Sequence, residues 1–173
     1  MSQPPQRLLA KAYEPVANYP QLIEQQIAMA RSTSPAAFCV RAQMLSAGRS
    51  ETVLAASPQL TLRLKVYASG GENTLHAHAN EDHLFIVLQG TAEFSDAHGS
   101  LGFFGANEGV LLPRGSVYRF MVSSTEPLVM LRVGSPNEAA LGMEGRVDTL
   151  GAAFDPAAQA NMEPQFMTDR FYG

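Results

Sequence analysis

The chain has 173 residues, 46% of them hydrophobic, and a formal charge of −4. This length predicts one domain, and the low charged fraction of 16% argues against a chain that is disordered throughout. The 12 basic residues are scattered and the longest apolar run, residues 84–88, is far below the ~20 residues that cross a bilayer, so we expect a cytoplasmic protein without nucleic-acid or membrane partners.

Residues 1–35 are expected to form an N-terminal arm and a short helix. Prolines interrupt residues 1–17, which show no periodicity. Asn18 is a suitable N-cap, and Pro20 fits the first helical turn because its missing N–H costs nothing there. One face of this helix carries Leu22, Ile23, Gln26, Ile27 and Ala30. The helix should end before Ser34-Pro35.

Residues 36–135 carry short strands separated by turns rich in Gly, Pro and Asp, a pattern typical of a β-sandwich or barrel. The clearest strand is Leu60–Tyr67, in which leucine and valine alternate with Thr61, Arg63, Lys65 and Tyr67. The other expected strands are Phe38–Leu45, His83–Ser95, Ser100–Phe104, Val110–Pro113, Val117–Val122 and Leu128–Val133. We expect residues 136–173 to be an irregular tail packed on the barrel or a partner, with a short helix beginning at Asp155-Pro156.

The strand that begins at His83 is apolar on both faces. Phe85 and Val87 lie on the His83 side, and Leu84, Ile86 and Leu88 lie on the other. An exposed antiparallel strand should alternate with polar residues, so something must cover the outer face. The cover is either the chain's own helix or tail, or a second subunit. Because twofold dimers are the commonest oligomers, we expect a homodimer.

Three of the four histidines fall within eight residues, at His76, His78 and His83. On a strand, His76 and His78 project to the same face. If residues 79–82 form a turn, His78 and His83 lie opposite each other on paired strands, where Cβ atoms are about 4.5–5.5 Å apart. Three imidazoles this close could share one divalent ion and leave a coordination position open, as in catalytic sites. The alternative is a loop with surface histidines.

The same stretch resembles the first motif of the cupin superfamily. It reads Gly70, five residues, His76-Ala-His78, four residues, His83, six residues, Gly90, and the family's glutamate is replaced by His83. The second motif of the family is similar to Asn107, five residues, Pro113-Arg-Gly115, two residues, Tyr118. Here Asn107 stands for the glycine and Tyr118 for the histidine ligand.

The resemblance implies an all-β, double-stranded β-helix jelly-roll barrel with short flanking helices at both termini. It also implies a divalent metal ion (Fe, Zn, Ni or Mn) at His76, His78, His83 and Tyr118. Tyr118 could instead be a core residue, or a catalytic group that orients the substrate or donates a proton. Glu81 and Asp82 could supply a carboxylate ligand, but their place in the turn predicts solvated charges.

The motifs favour a small-molecule metalloenzyme of dioxygenase type, in which substrate and O2 occupy the open positions on the metal. One alternative is an oxygen-independent isomerase, lyase or decarboxylase that uses the ion as a Lewis acid. Another is a non-catalytic cupin that binds a small ligand or a metal. The fold by itself does not choose among them.

Overall fold

A computed structural model describes residues 8–16, 18–136, 145–153 and 163–173. One helix precedes twelve strands in this part of the chain. The elements are α1 Tyr19–Ala30, β1 Ala42–Ala47, β2 Arg49–Ser57, β3 Leu60–Tyr67, β4 Gly71–His78, β5 Glu81–Gln89, β6 Ala92–Asp96, β7 Gly99–Phe104, β8 Gly109–Leu112, β9 Tyr118–Val122, β10 Leu128–Pro136, β11 Arg146–Val147 and β12 Gln165–Tyr172.

The N-terminal helix forms as the sequence predicts. The side chain of Asn18 caps α1 by accepting a hydrogen bond from the backbone N–H of Gln21 at 3.0 Å. Leu22, Gln26 and Ala30 are buried, as expected for residues four apart on one helical face. The helix packs on β2, so its apolar stripe covers that edge of the barrel.

Ten strands form two five-stranded antiparallel sheets. Sheet I has the order β2-β3-β10-β5-β8, and sheet II has the order β11-β4-β9-β6-β7. From β3 onwards the chain changes sheet repeatedly, with β3, β5, β8 and β10 in sheet I and β4, β6, β7 and β9 in sheet II. This alternation is typical of a double-sheet jelly roll and confirms the predicted barrel.

Side-chain alternation produces two apolar layers. The interior of the barrel holds an aromatic cluster that includes Tyr67, Phe85, Phe94 and Phe120. The opposite face of sheet I packs against β1, with Leu64 of β3 in that second layer. Both faces of β3 are therefore buried, and its polar residues Thr61, Arg63 and Lys65 are buried as well.

Three sequence predictions about strands differ from the structure. The single strand expected over His83–Ser95 is two, because the chain leaves β5 at Gly90 and enters β6 in the other sheet. β2 was not expected, because its mixture of polar and apolar residues and the irregularity between Val53 and Ala55 break the alternation. The C-terminal tail was expected to be irregular, but β12 pairs with β1 and β11 pairs with β4. Such pairing depends on distant partner strands, which local periodicity does not reveal. The short helix expected from Asp155 lies outside the described residues.

Among the described residues, no helix has both the length and the apolar character needed to cross a membrane.

Candidate metal centre

The three clustered histidines come from strands of opposite sheets. His76 and His78 lie on β4 of sheet II, and His83 lies on β5 of sheet I. The predicted hairpin is therefore wrong, since β4 pairs with β9 and β11 whereas β5 pairs with β10 and β8. The chain crosses between the sheets at Ala79-Asn80, which places the ring centroids of His78 and His83 4.0 Å apart. The side chains meet because the two sheets face each other.

Glu81 joins the histidines, although the sequence predicted that it would be a solvated charge. It is the first residue of β5 and is only 2% exposed. Residues two apart on a strand share a face, so Glu81 projects to the same side as His83. Its Oε1 lies 3.0 Å from His83 Nε2. One possible ligand atom from each of His78, Glu81 and His83 lies within 4.8 Å of the others.

The carboxylate of Glu81 occupies the space that a side chain at position 134 would fill, and this position is a glycine. Gly134 lies opposite His83 in the β5–β10 register. A β-carbon at this position would lie 2.5 Å from Glu81 Oε2 and 2.6 Å from Thr61 Oγ1. Real Cβ atoms do not approach other atoms so closely, so any larger residue would displace the carboxylate.

His76 lies next to this group but is not one of its members. Its ring centroid is 5.1 Å from that of His78, and its Nδ1 lies 2.9 Å from the backbone oxygen of Thr74. A carbonyl oxygen only accepts, so Nδ1 of His76 carries a proton, and in a neutral ring Nε2 then keeps its lone pair. This is the tautomer that binds a metal through Nε2. Ligation by His76 stays a prediction.

Tyr118 connects the second sequence motif to the first. It begins β9 and lies opposite His76 in the β4–β9 register. It is buried beside Phe85 and Phe94, as a core tyrosine would be. Its hydroxyl is also 3.2 Å from His83 Nδ1. The expectations that Tyr118 ligates a metal or acts in catalysis stay predictions.

Arg132 is the residue of this site that the sequence analysis missed. Its Nη2 hydrogen-bonds to Glu81 Oε1 and contacts His83 Nε2, and its Nη1 donates to Thr61 Oγ1 at 3.4 Å. The side chain is buried, although it carries a full charge. A signal was available, because Arg132 and Leu128 are four residues apart on one strand and so project to the same face. Leu128 belongs to the core of the barrel.

An exposed ion pair lies beside the buried group. Asp82 Oδ1 accepts a hydrogen bond from the backbone N–H of Arg114 at 2.7 Å, and the Arg114 guanidinium lies 3.4 Å away. The backbone hydrogen bond, helped by the guanidinium, lowers the pKa of Asp82. Asp82 is thus the solvated charge that the sequence predicted. The pair joins the start of β5 to the turn that precedes β9.

The family model described as Cupin domain matches residues 63–134, which run from β3 to β10 and contain the whole buried group. The match identifies residues 63–134 as a cupin domain. A comparison with curated proteins gave no match.

Solved structures similar to this chain include three from bacteria. A cupin-superfamily sugar phosphate isomerase from Silicibacter pomeroyi is 23% identical over 52% of this chain and 60% of that chain, with a TM-score of 0.47. KdgF from Halomonas sp. is 20% identical over 52% and 80% of the two chains, with a TM-score of 0.47. A Streptomyces PAC13 variant with uridine is 16% identical over 61% and 84%, with a TM-score of 0.48. The chain thus spans about 60% of the length of the isomerase.

The buried group of His78, Glu81 and His83 fits a divalent metal ion. Imidazole nitrogens and a carboxylate oxygen are common ligands of zinc, iron and nickel. The carboxylate of Glu81 would also compensate part of the charge of such an ion, which three neutral imidazoles would not do. Of the four groups His76, His78, Glu81 and His83, the last three are close enough to share one ion.

Proposed function

We propose that this cupin is a small-molecule metalloenzyme of dioxygenase type. The observation that carries the proposal is the buried group of two histidines and one carboxylate, His78, Glu81 and His83. Two histidines and a carboxylate with open coordination positions are typical of non-haem iron oxygenases. When bound there, ferrous iron would supply coordination positions for O2 and for a donor atom of the substrate.

The surrounding residues would hold the ligands in the correct protonation state. If Nε2 of His83 accepts from Arg132, the proton of the neutral ring is on Nδ1, which then donates to the hydroxyl of Tyr118. Partners of this kind fix the ring orientation and tautomer of a ligating histidine. Tyr118 would serve His83 in this way, and the Thr74 carbonyl would serve His76.

The interior of the barrel would exclude water from the reaction. Phe85, Phe94 and Phe120 are fully buried, and the rings of Phe85 and Phe94 lie against Tyr118. Exclusion of water strengthens the electrostatic interactions between a substrate and the side chains of His78, Glu81 and His83. It also prevents water from intercepting reactive species.

Iron content and oxygen uptake test this proposal. Tag-free protein is stripped with a chelator, reloaded anaerobically with ferrous iron, and mixed with aromatic diols, small thiols and dicarbonyl compounds in an oxygen electrode. We expect stoichiometric iron and oxygen uptake that depends on one of these compounds. His78→Ala should lose both, whereas His98→Ala, which changes an exposed turn histidine, should keep both. A folded protein that takes up no metal would contradict the proposal.

A second candidate is an oxygen-independent isomerase, lyase or decarboxylase. The contact between the Tyr118 hydroxyl and His83 Nδ1 favours this candidate, because a phenol that is hydrogen-bonded to an imidazole can transfer a proton to or from a substrate. In such an enzyme the ion would act as a Lewis acid on a carbonyl oxygen. Substrate turnover in the strict absence of oxygen would separate this candidate from the dioxygenase. Metal binding without turnover would leave a non-catalytic binding cupin.

We further propose that the protein is a cytoplasmic homodimer. The outward side chain of Leu84 is only partly buried, and Leu111, opposite it in the β5–β8 register, is 63% exposed. A second copy would cover this apolar face. The molar mass from light scattering on a sizing column tests this, and a monomer at micromolar concentration would contradict it.

A further inference from the structure

The guanidinium of Arg132 contacts two of the three possible metal ligands, Glu81 and His83. Its Nη2 contacts two different side chains, at Glu81 Oε1 and His83 Nε2. Its Nη1 is directed at Thr61 Oγ1, 3.4 Å away. Thr61 in turn donates a hydrogen bond to the backbone oxygen of Gly134 at 3.5 Å. The side chain is therefore held in a defined position between β5 and β3.

Arginine uses the same electron pairs that a metal ion needs. A guanidinium has five N–H donors and no acceptor, so it can hydrogen-bond to His83 Nε2 only through the lone pair of that nitrogen. The Glu81 oxygen presents a lone pair in the same direction. An ion bound to these two atoms would therefore have to take the place of the guanidinium. The two cations would also repel each other strongly in this buried setting.

We propose that Arg132 determines the metal affinity of this site, because its guanidinium and a divalent cation compete for Glu81 Oε1 and His83 Nε2. The inference rests on the proposed function, in which these two residues are ligands. It has two consequences. Metal binding requires Arg132 to leave its partners, and the metal-free protein keeps a paired carboxylate instead of an isolated buried charge.

Titration of the metal-free protein with Ni²⁺ tests the competition. Arg132→Met removes the guanidinium and retains an apolar side chain of similar length. Arg63→Met is the matched control, because Arg63 lies opposite Arg132 in the β3–β10 register and is also buried. The Arg63 guanidinium is directed at Gln26 and Glu51. All proteins are tag-free and are checked by circular dichroism before calorimetric titration.

The expected result is that Arg132→Met binds Ni²⁺ roughly tenfold more tightly than the unchanged protein, a magnitude typical of groups adjoining a metal site. Arg63→Met should bind within about threefold of the unchanged protein, because the partners of its guanidinium, Gln26 and Glu51, lie outside the ligand group. Ni²⁺ should also raise the melting temperature of Arg132→Met more than that of the other two proteins.

Arg132→Lys keeps the test decisive if Arg132→Met does not fold. Lysine retains the charge but has no planar fork with which to contact both atoms at once, so its Ni²⁺ affinity should also rise. If the folded Arg132 variants bind Ni²⁺ no more tightly than the unchanged protein, the inference is wrong, although the metal site itself is not affected. Absence of Ni²⁺ binding in every protein would overturn both the inference and the proposed metalloenzyme.

Discussion

Replacing Gly134 with alanine is the sharpest test of the buried group. The backbone at Gly134 is not left-handed, so alanine adds no backbone strain. The added methyl would instead meet three side-chain atoms, at 2.5 Å from Glu81 Oε2, 2.6 Å from Thr61 Oγ1 and 3.2 Å from Arg132 Nη1. Carbon–oxygen contacts need more than 3 Å, so the carboxylate and the hydroxyl must both move. Close packing around them resists this movement.

The expected cost is that of overpacking a core, about 1–3 kcal/mol in the free energy of unfolding. For a protein of this size, the melting temperature should fall by about 2–12 °C, at about 2–4 °C per kcal/mol. Displacement of Glu81 should also weaken Ni²⁺ binding by roughly tenfold, as is common when the surroundings of a ligand change. Thermal unfolding and calorimetric titration measure the two effects separately.

Gly105→Ala is the matched control. Gly105 also lies outside the left-handed region, and a β-carbon there would have ordinary contact with Glu108 Oε2 at 3.7 Å. Its stability should change by less than about 0.5 kcal/mol, as for most surface substitutions. If Gly134→Ala has the same melting temperature and Ni²⁺ affinity as the control, the Glu81 carboxylate does not lie against Gly134, and the ligand group is wrong.

The other predictions concern single side chains. Tyr118→Phe keeps the packed ring but removes the partner of His83 Nδ1, so Ni²⁺ affinity should fall about tenfold; unchanged affinity would show that the hydroxyl does not fix the tautomer. His78→Ala should remove most bound metal, and metal binding by the unchanged protein should weaken on acidification because ligating imidazoles must be neutral. Full occupancy of His78→Ala would show that the ligand assignment is wrong. The pKa of Asp82 is lower in the folded protein than in the unfolded chain, where it is near 4. Its carboxylate therefore stabilises the fold at pH values above about 4, and this stabilisation disappears as the pH falls through the folded pKa. Asp82→Asn should therefore be destabilised by about 0.2–1 kcal/mol at pH 7, and a difference that persists at pH 2 in urea titrations would contradict this assignment.

Local patterns in the sequence predicted the features that depend on neighbours in the chain. The cap at Asn18 and the spacing of Leu22, Gln26 and Ala30 predicted α1, because helical contacts join residues three and four apart. The spacing of the clustered histidines indicated a shared site, and the motif resemblance indicated the barrel. Homodimerisation, the metal and the reaction remain predictions.

The tertiary structure decided which side chains complete the site. Strand periodicity gives the face of each residue but not the strand or sheet that faces it. The sequence therefore suggested a hairpin for His78 and His83, whereas the fold places them on opposite sheets. Glu81 is buried and Arg132 reaches it only because β5 and β10 are paired across 51 residues of chain. A contact at that separation depends on the closure of the whole barrel, which no local pattern encodes.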